Sequence, residues 1–240
     1  STAMTHQRYV NQSLLLPLAV LMFASCASSA LLGARMILIG HHHQLYLVWN
    51  LFLAWLPLLF ALAACWMEQN GRPRRRPFIG AATGWFFFFP NAPYILTDLI
   101  HLGSKSQRYY WPDLVLILLF AMTGLVLGFL SLFLMQRMVA HRFGWPGGWL
   151  FVAIMAMLSG FGIYAGRFLR WNSWDVVFSP IDLISEGLRW VSAMPSEPRG
   201  VILPVLFGAM LFISYVTLYG LTHLQANHAL EPQIQNTPQA

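Results

Sequence analysis

Long apolar runs alternate with short polar connections along this chain. Six runs, residues 14–34, 45–67, 78–100, 114–135, 149–166 and 201–222, are long enough to predict membrane-spanning helices. A helix rises about 1.5 Å per residue, so about 20 apolar residues cross a hydrocarbon core roughly 30 Å thick. Barrel strands would alternate polar and apolar positions instead, and open strands would leave edge groups unpaired in lipid. The third run is the least regular, because Pro90 and Pro93 lie inside it. A further helix is predicted from Ser179-Pro180-Ile181-Asp182, where Ser179 caps, Pro180 suits the first turn and Asp182 completes a capping pattern. Ile181, Ile184, Leu188 and Val191 then share one face, opposite Asp182, Ser185, Glu186 and Arg189. Too short and polar to span, this segment predicts a helix lying in the interface. The expectation is an all-α, polytopic transmembrane helical bundle of six spans plus an outer interfacial helix. It forms a single integral membrane domain over residues 1–240, with a polar C-terminal tail at 225–240.

Composition excludes the soluble alternatives. The chain is 58% hydrophobic and only 9% charged, with a mean hydropathy of +0.59, whereas soluble domains carry about 25% charged residues. The net charge of +6 does not make a nucleic-acid binder, because the basic residues sit between apolar runs and form no groove or recognition motif. They fit the positive-inside effect and headgroup contacts. Arg72, Arg74, Arg75 and Arg76 crowd one short loop, which is thereby predicted to be cytoplasmic, together with both termini. Total counts do not decide orientation, since seven basic residues fall on each side. The expected location is a bacterial inner membrane.

Residues near the N-terminus carry other signals. Ser1-Thr2-Ala3 ahead of Met4 reads as a cloning remnant. Phe23-Ala24-Ser25-Cys26 hints at a lipoprotein processing box, but Phe23 fits it poorly and the apolar run continues past Cys26. Cys26 and Cys65 are predicted at depths roughly 15 Å apart, too far for a disulfide. The glycine pairs Gly124-x-x-x-Gly128 and Gly162-x-x-x-Gly166 predict close helix packing.

Polar residues gather on the predicted outer side, which holds Asp98, Asp113, Asp175, Asp182, Glu186 and Glu197. Ionisable groups at membrane depth are costly and face a bundle interior or a cavity. Asn91, Tyr94, Asp98 and His101 are spaced i, i+3, i+7 and i+10, one polar stripe if the chain is helical after Pro93. The prolines also free the carbonyls of Phe86 and Phe89. Such a stripe lines a pocket or bonds neighbouring helices. Arg167 and Arg170 share a face at i, i+3, followed by Trp171, Asn172 and Asp175. Their guanidinium forks suit phosphate or carboxylate. They equally suit interfacial anchoring or pairing with Asp98, Asp113 or Asp175. His41-His42-His43 reads as loop rather than ligand set, and Asp98 with His101, joined by Asp113 or Asp175, is the better metal candidate, without a dense signature. The sequence names no cofactor.

Three stretches carry a resemblance. They are Trp49-Asn50-Leu51-Phe52-Leu53-Ala54-Trp55-Leu56-Pro57, then Pro90-Asn91-Ala92-Pro93-Tyr94 continuing to Thr97-Asp98-Leu99-Ile100-His101-Leu102, and Gly166-Arg167-Phe168-Leu169-Arg170-Trp171-Asn172-Ser173-Trp174-Asp175. The chain resembles an uncharacterised family of bacterial polytopic membrane proteins, domain of unknown function 1361. That resemblance carries no activity. It implies that these polar blocks define the family and favours a shared site.

Three functions compete. An enzyme would hold an anionic lipid or lipid-linked headgroup on Asn91, Tyr94, Arg167, Arg170, Trp171 and Asn172, with Asp98, His101 and Asp175 as catalytic groups. A non-catalytic membrane subunit or scaffold would use the same blocks for packing or for a protein partner. A small-solute transporter would use the Pro-broken backbone and buried acids, although no internal repeat is evident. Membrane lipids are the expected partners.

Overall fold

The computed structural model describes residues 2–39, 44–69, 75–104, 110–169, 181–182, 185, 187, 189 and 199–235. Helix α1 spans Thr2–Ile39, α2 Tyr46–Gln69, α3 Arg75–Phe88 and α4 Asn91–Tyr94. A 3-10 helix, Ile95–Ser104, leads to α5, Tyr110–Phe168, and α6 is Arg199–Gln235. The described residues contain no strand. Four helical stretches are long and apolar enough to cross a membrane: Leu14–Leu38, Tyr46–Gln69, Tyr110–Phe168 and Gly200–Thr222. Their outward faces are apolar, with Phe23, Ile37, Trp66, Leu150 and Ile213 all exposed. A membrane-embedded protein fits both observations, since only lipid would solvate such a surface without cost. Helix α6 continues to Gln235, into the segment expected to be a polar tail.

Six separate spans are not supported. The third expected span, 78–100, is not a continuous helix, because α3 ends at Phe88 and the chain turns through Pro90 into the single turn α4. Fourteen residues of α3 rise only about 21 Å, short of a bilayer core. Pro90 and Pro93 have no N–H to donate, so the helical ladder fails there. The Phe89 carbonyl accepts instead from the Ala92 N–H at 3.2 Å, and Asn91 Nδ2 donates to the Phe88 carbonyl at 3.2 Å. The expected interfacial helix at 179–191 falls mostly outside the described residues.

The fourth and fifth expected spans are joined in α5, which is not straight. Gly144 has φ +77° and ψ 171°, a conformation that suits glycine and interrupts the helix. The chain reverses there. A Cβ on Gly148 would lie 2.9 Å from Ala140 Cβ and 3.4 Å from Gln136 Cγ, residues about 12 and 18 Å away in a continuous helix. Trp85 confirms the hairpin, donating from Nε1 to Ser131 Oγ at 3.2 Å while stacking on Phe151. The arms are residues 110–143 and 145–168.

Small residues let these elements touch. Gly124 and Gly128 sit against Ala92, and Gly162 against Pro90, so the broken segment wedges between the arms of α5. Gly160 lies directly on Pro204 and Gly208 of α6. Tyr215 of α6 donates to buried Gln136 of the first arm, inside a cluster with Phe129, Trp149 and Tyr219. The bundle therefore has two polar ends. One gathers Arg35, the start of α2, the 3-10 helix, Asp113 and Arg167. The other holds the exposed Arg142–Glu68 pair at 3.3 Å, with Arg142 also over the Phe78 ring.

Candidate functional site

Site construction begins at the break after α3. The turn α4 and the 3-10 helix carry Tyr94, Thr97 and Asp98 inward at the Arg35 end. A 3-10 helix has three residues per turn, so the i+7 and i+10 spacing of an α-helical stripe does not continue past Tyr94. Thr97, rather than Asn91, joins Asp98 in the cluster. Asp98 is 2% exposed. Its Oδ1 meets Arg167 Nη2 at 2.5 Å and its Oδ2 accepts from Asn50 Nδ2 at 2.9 Å. Arg167 also donates from Nε and Nη2 to Thr97 Oγ1, at 2.9 and 2.7 Å. The Thr97 hydroxyl in turn donates to the Tyr94 carbonyl at 2.7 Å. The guanidinium lies 4.8 Å from the centre of the Tyr94 ring, close enough for a cation–π contribution. Arg167 thus ties the end of α5 to the broken segment, and Asn50 adds α2.

A second ion pair lies at the same end. Arg35, in the last turns of α1, places Nε 2.5 Å from Oδ1 of Asp113, which opens α5 and is wholly buried. The Arg35 side chain is 12% exposed and that of Arg167 14% exposed. Tyr46, at the start of α2, joins the pairs: its half-buried phenol is within electrostatic reach of Asp98, Arg167 and Asp113. Among the described residues, the two pairs contribute two cations and two carboxylates.

Removing charges from water costs several kcal/mol per ion even after relaxation. Two nearly buried pairs at one end are therefore an expense that apolar packing alone would not require. They give that end fixed dipoles and forked N–H donors in a region of low dielectric, where interactions with a polar ligand are strengthened. Among the described residues, no group of three or more His, Cys, Asp or Glu is placed to hold a metal ion. Cys26 and Cys65 are both free.

The expected site residues divide into three groups. Asp98, Tyr94 and Arg167 come together. Asn91 lies one helical turn back and is engaged with the backbone of α3. His101 belongs to the 3-10 helix, but its side chain is outside the described residues, as are Arg170, Trp171, Asn172, Asp175 and His41-His42-His43. Sequence reasoning missed Arg35, Tyr46, Asn50 and Thr97 as members of the cluster. The signal for Asn50 was available, as a lone amide in an apolar run beside Trp49. Nothing in the local pattern marks Arg35 as the partner of Asp113, 78 residues away.

No curated protein and no solved structure matches the chain. Residues 49–217, which include Asn50, Asp98, Asp113 and Arg167, match the family described as "Protein of unknown function (DUF1361)", and the chain belongs to that family.

Proposed function

We propose that this is a multi-pass protein of a bacterial inner membrane that binds the anionic headgroup of a lipid or lipid-linked substrate at the ion-paired cluster of its Arg35 end, which then lines a headgroup chamber. In this reading α1, α2, both arms of α5 and α6 cross the bilayer, and α3 to the 3-10 helix traverse it as a sixth, broken segment. The Arg142 end, whose Glu68 and Phe78 flank Arg72, Arg74, Arg75 and Arg76 in sequence, faces the cytoplasm, so both termini are cytoplasmic and the chamber opens outward. The observation carrying the reading is the Asp98–Arg167 pair: a nearly buried carboxylate holds a guanidinium that still reaches the surface.

Both Asp98 oxygens have protein partners. With both oxygens already engaged, Asp98 is read as the positioning residue of Arg167. His101 and Asp175 take the proton-transfer roles, with Arg170, Trp171 and Asn172 completing the headgroup seat. The Asp98 carboxylate then competes with an incoming phosphate for the same guanidinium.

Lipid retention in native mass spectrometry tests the binding. Protein from nanodiscs mixing phosphatidylcholine and phosphatidic acid should retain the anionic lipid about tenfold more strongly, one charge-assisted contact being about 1.5–3 kcal/mol. Asp98→Asn should increase that preference, because it neutralises the competitor. Equal retention of the two lipids would overturn headgroup binding. Turnover is read separately, as a new lipid product from a bacterial lipid extract that folded His101→Ala fails to make. Unchanged turnover in that variant would remove His101 from the mechanism. A scaffold is the second reading, favoured by the full set of protein partners around Asp98. It predicts no lipid preference and a stoichiometric protein that co-purifies.

A further inference from the structure

Gln44 lies just ahead of α2, where its carbonyl accepts from the Leu47 N–H at 3.0 Å. Its side chain is 1% exposed. Among the described residues, neither its Nε2 nor its Oε1 meets a hydrogen-bond partner. An amide buried without partners costs about 1–3 kcal/mol for each stranded group, so such a residue calls for an explanation. Lipid facing does not supply one, because an apolar side chain would serve better there. The neighbouring charges point the same way. Arg35 commits only Nε, to Asp113; among the described residues its two terminal amino groups meet no acceptor. Tyr46, two residues after Gln44, feels the charge of Asp113, the partner of Arg35, more weakly than that of Asp98. The start of α2 with Gln44 and Tyr46, the start of α5 with Asp113 and the end of α1 with Arg35 thus lie at one edge of the bundle.

We infer that this edge is a second part of the headgroup seat and takes a neutral, hydroxyl-bearing moiety, such as the polyol or sugar portion of a lipid headgroup. The inference rests on the reading of the chamber as a headgroup site and names the class of headgroup. The hydrogen-bond inventory selects it. Gln44 offers one acceptor and two donors, and the Arg35 amino groups offer only donors. A group that both donates and accepts satisfies all of them, and a hydroxyl does both. A second phosphate fits poorly, since it could not donate to Gln44 Oε1 and would lie beside the Asp113 carboxylate. A quaternary ammonium fits neither the guanidinium nor the amide N–H. The anionic part of the same headgroup would remain with Arg167.

Two lipids of equal charge separate this inference from the broader one. Phosphatidylglycerol carries two hydroxyls beyond its phosphate; phosphatidylmethanol carries the same phosphate and none. Binding to phosphatidylcholine nanodiscs doped with one or the other is compared, for protein purified in a detergent whose head has no hydroxyls. The native protein should prefer phosphatidylglycerol about tenfold or more, as expected when a stranded amide gains its partners. Gln44→Leu should lower phosphatidylglycerol binding to the phosphatidylmethanol level while leaving phosphatidylmethanol binding unchanged. The same variant, free of lipid, should melt at a higher temperature than the native protein, because it removes an unsatisfied buried amide. Equal binding of the two anionic lipids by the native protein would overturn the hydroxyl inference while leaving headgroup binding intact. Binding of neither above phosphatidylcholine would overturn both. A lower melting temperature for Gln44→Leu would show that Gln44 is held by the protein itself, and would also overturn the inference.

Discussion

Arg167→Leu should lose about 3–5 kcal/mol of unfolding free energy, the cost of leaving a buried charge without its partner. The stranded group is Asp98, which would keep only the Asn50 amide. Thr97 would lose both guanidinium donors, and the end of α5 would lose its tie to the broken segment. Unfolding of the purified protein in mixed micelles reads the loss directly. The pair of substitutions Asp98→Leu and Arg167→Leu should be far less damaging than Arg167→Leu alone, because an apolar replacement removes the desolvation penalty together with the attraction. Arg167→Lys should fall between native and leucine: it keeps the charge but not the fork that reaches Thr97 and Asp98 at once. A double variant as unstable as the sum of its parts would mean that the two residues do not act as a pair.

The second large effect is expected at Gly160. A Cβ there would lie 2.2 Å from the Pro204 carbonyl oxygen and 2.5 Å from the Gly208 nitrogen. Both are backbone atoms, so no side chain can swing aside; α6 itself must retreat. Gly160→Val should therefore cost about 3 kcal/mol, the upper part of the range for overpacked cores. It should also loosen the Tyr215–Gln136 bond, which depends on the same helix pairing. Gly33→Ala is the matched control. Nothing lies within 4 Å of its Cβ position, so the change should be neutral or stabilise by up to about 1 kcal/mol through helix propensity. Thermal unfolding of both variants checks the contrast, and equal losses would place α6 elsewhere.

These two sites also mark what could be read from the chain alone. Apolar runs of 20 or so residues locate lipid-crossing helices because length and hydrophobicity are all that crossing requires. They fail at residues 78–100, since a hydropathy window does not register the hydrogen bonds removed by Pro90 and Pro93. The prolines mark the break, but not the conversion to 3-10 geometry that swings Thr97 into the place expected for Asn91. Arg167 and Asp98 were each visible as costly charges, and their pairing was one of several open arrangements. Sequence offers no way to choose a partner 69 residues away among several acids and bases of similar predicted depth. The tightest helix crossing was legible in weaker form. Ala156-x-x-x-Gly160 is a small-residue pair, less conspicuous than the Gly162 and Gly166 pair. Gln44 carried no signal at all, because its meaning lies in what does not surround it.

Everything functional depends on the two ion pairs forming one chamber that receives a headgroup. The most direct measurement is a cryo-electron microscopy map of the native protein in phosphatidylglycerol nanodiscs. The account predicts headgroup density beside Tyr46, with its phosphate against Arg167 and its glycerol hydroxyls against Gln44 and Arg35. A map with the Arg35 end closed over both pairs, and lipid phosphate ordered only around Arg142, would contradict it.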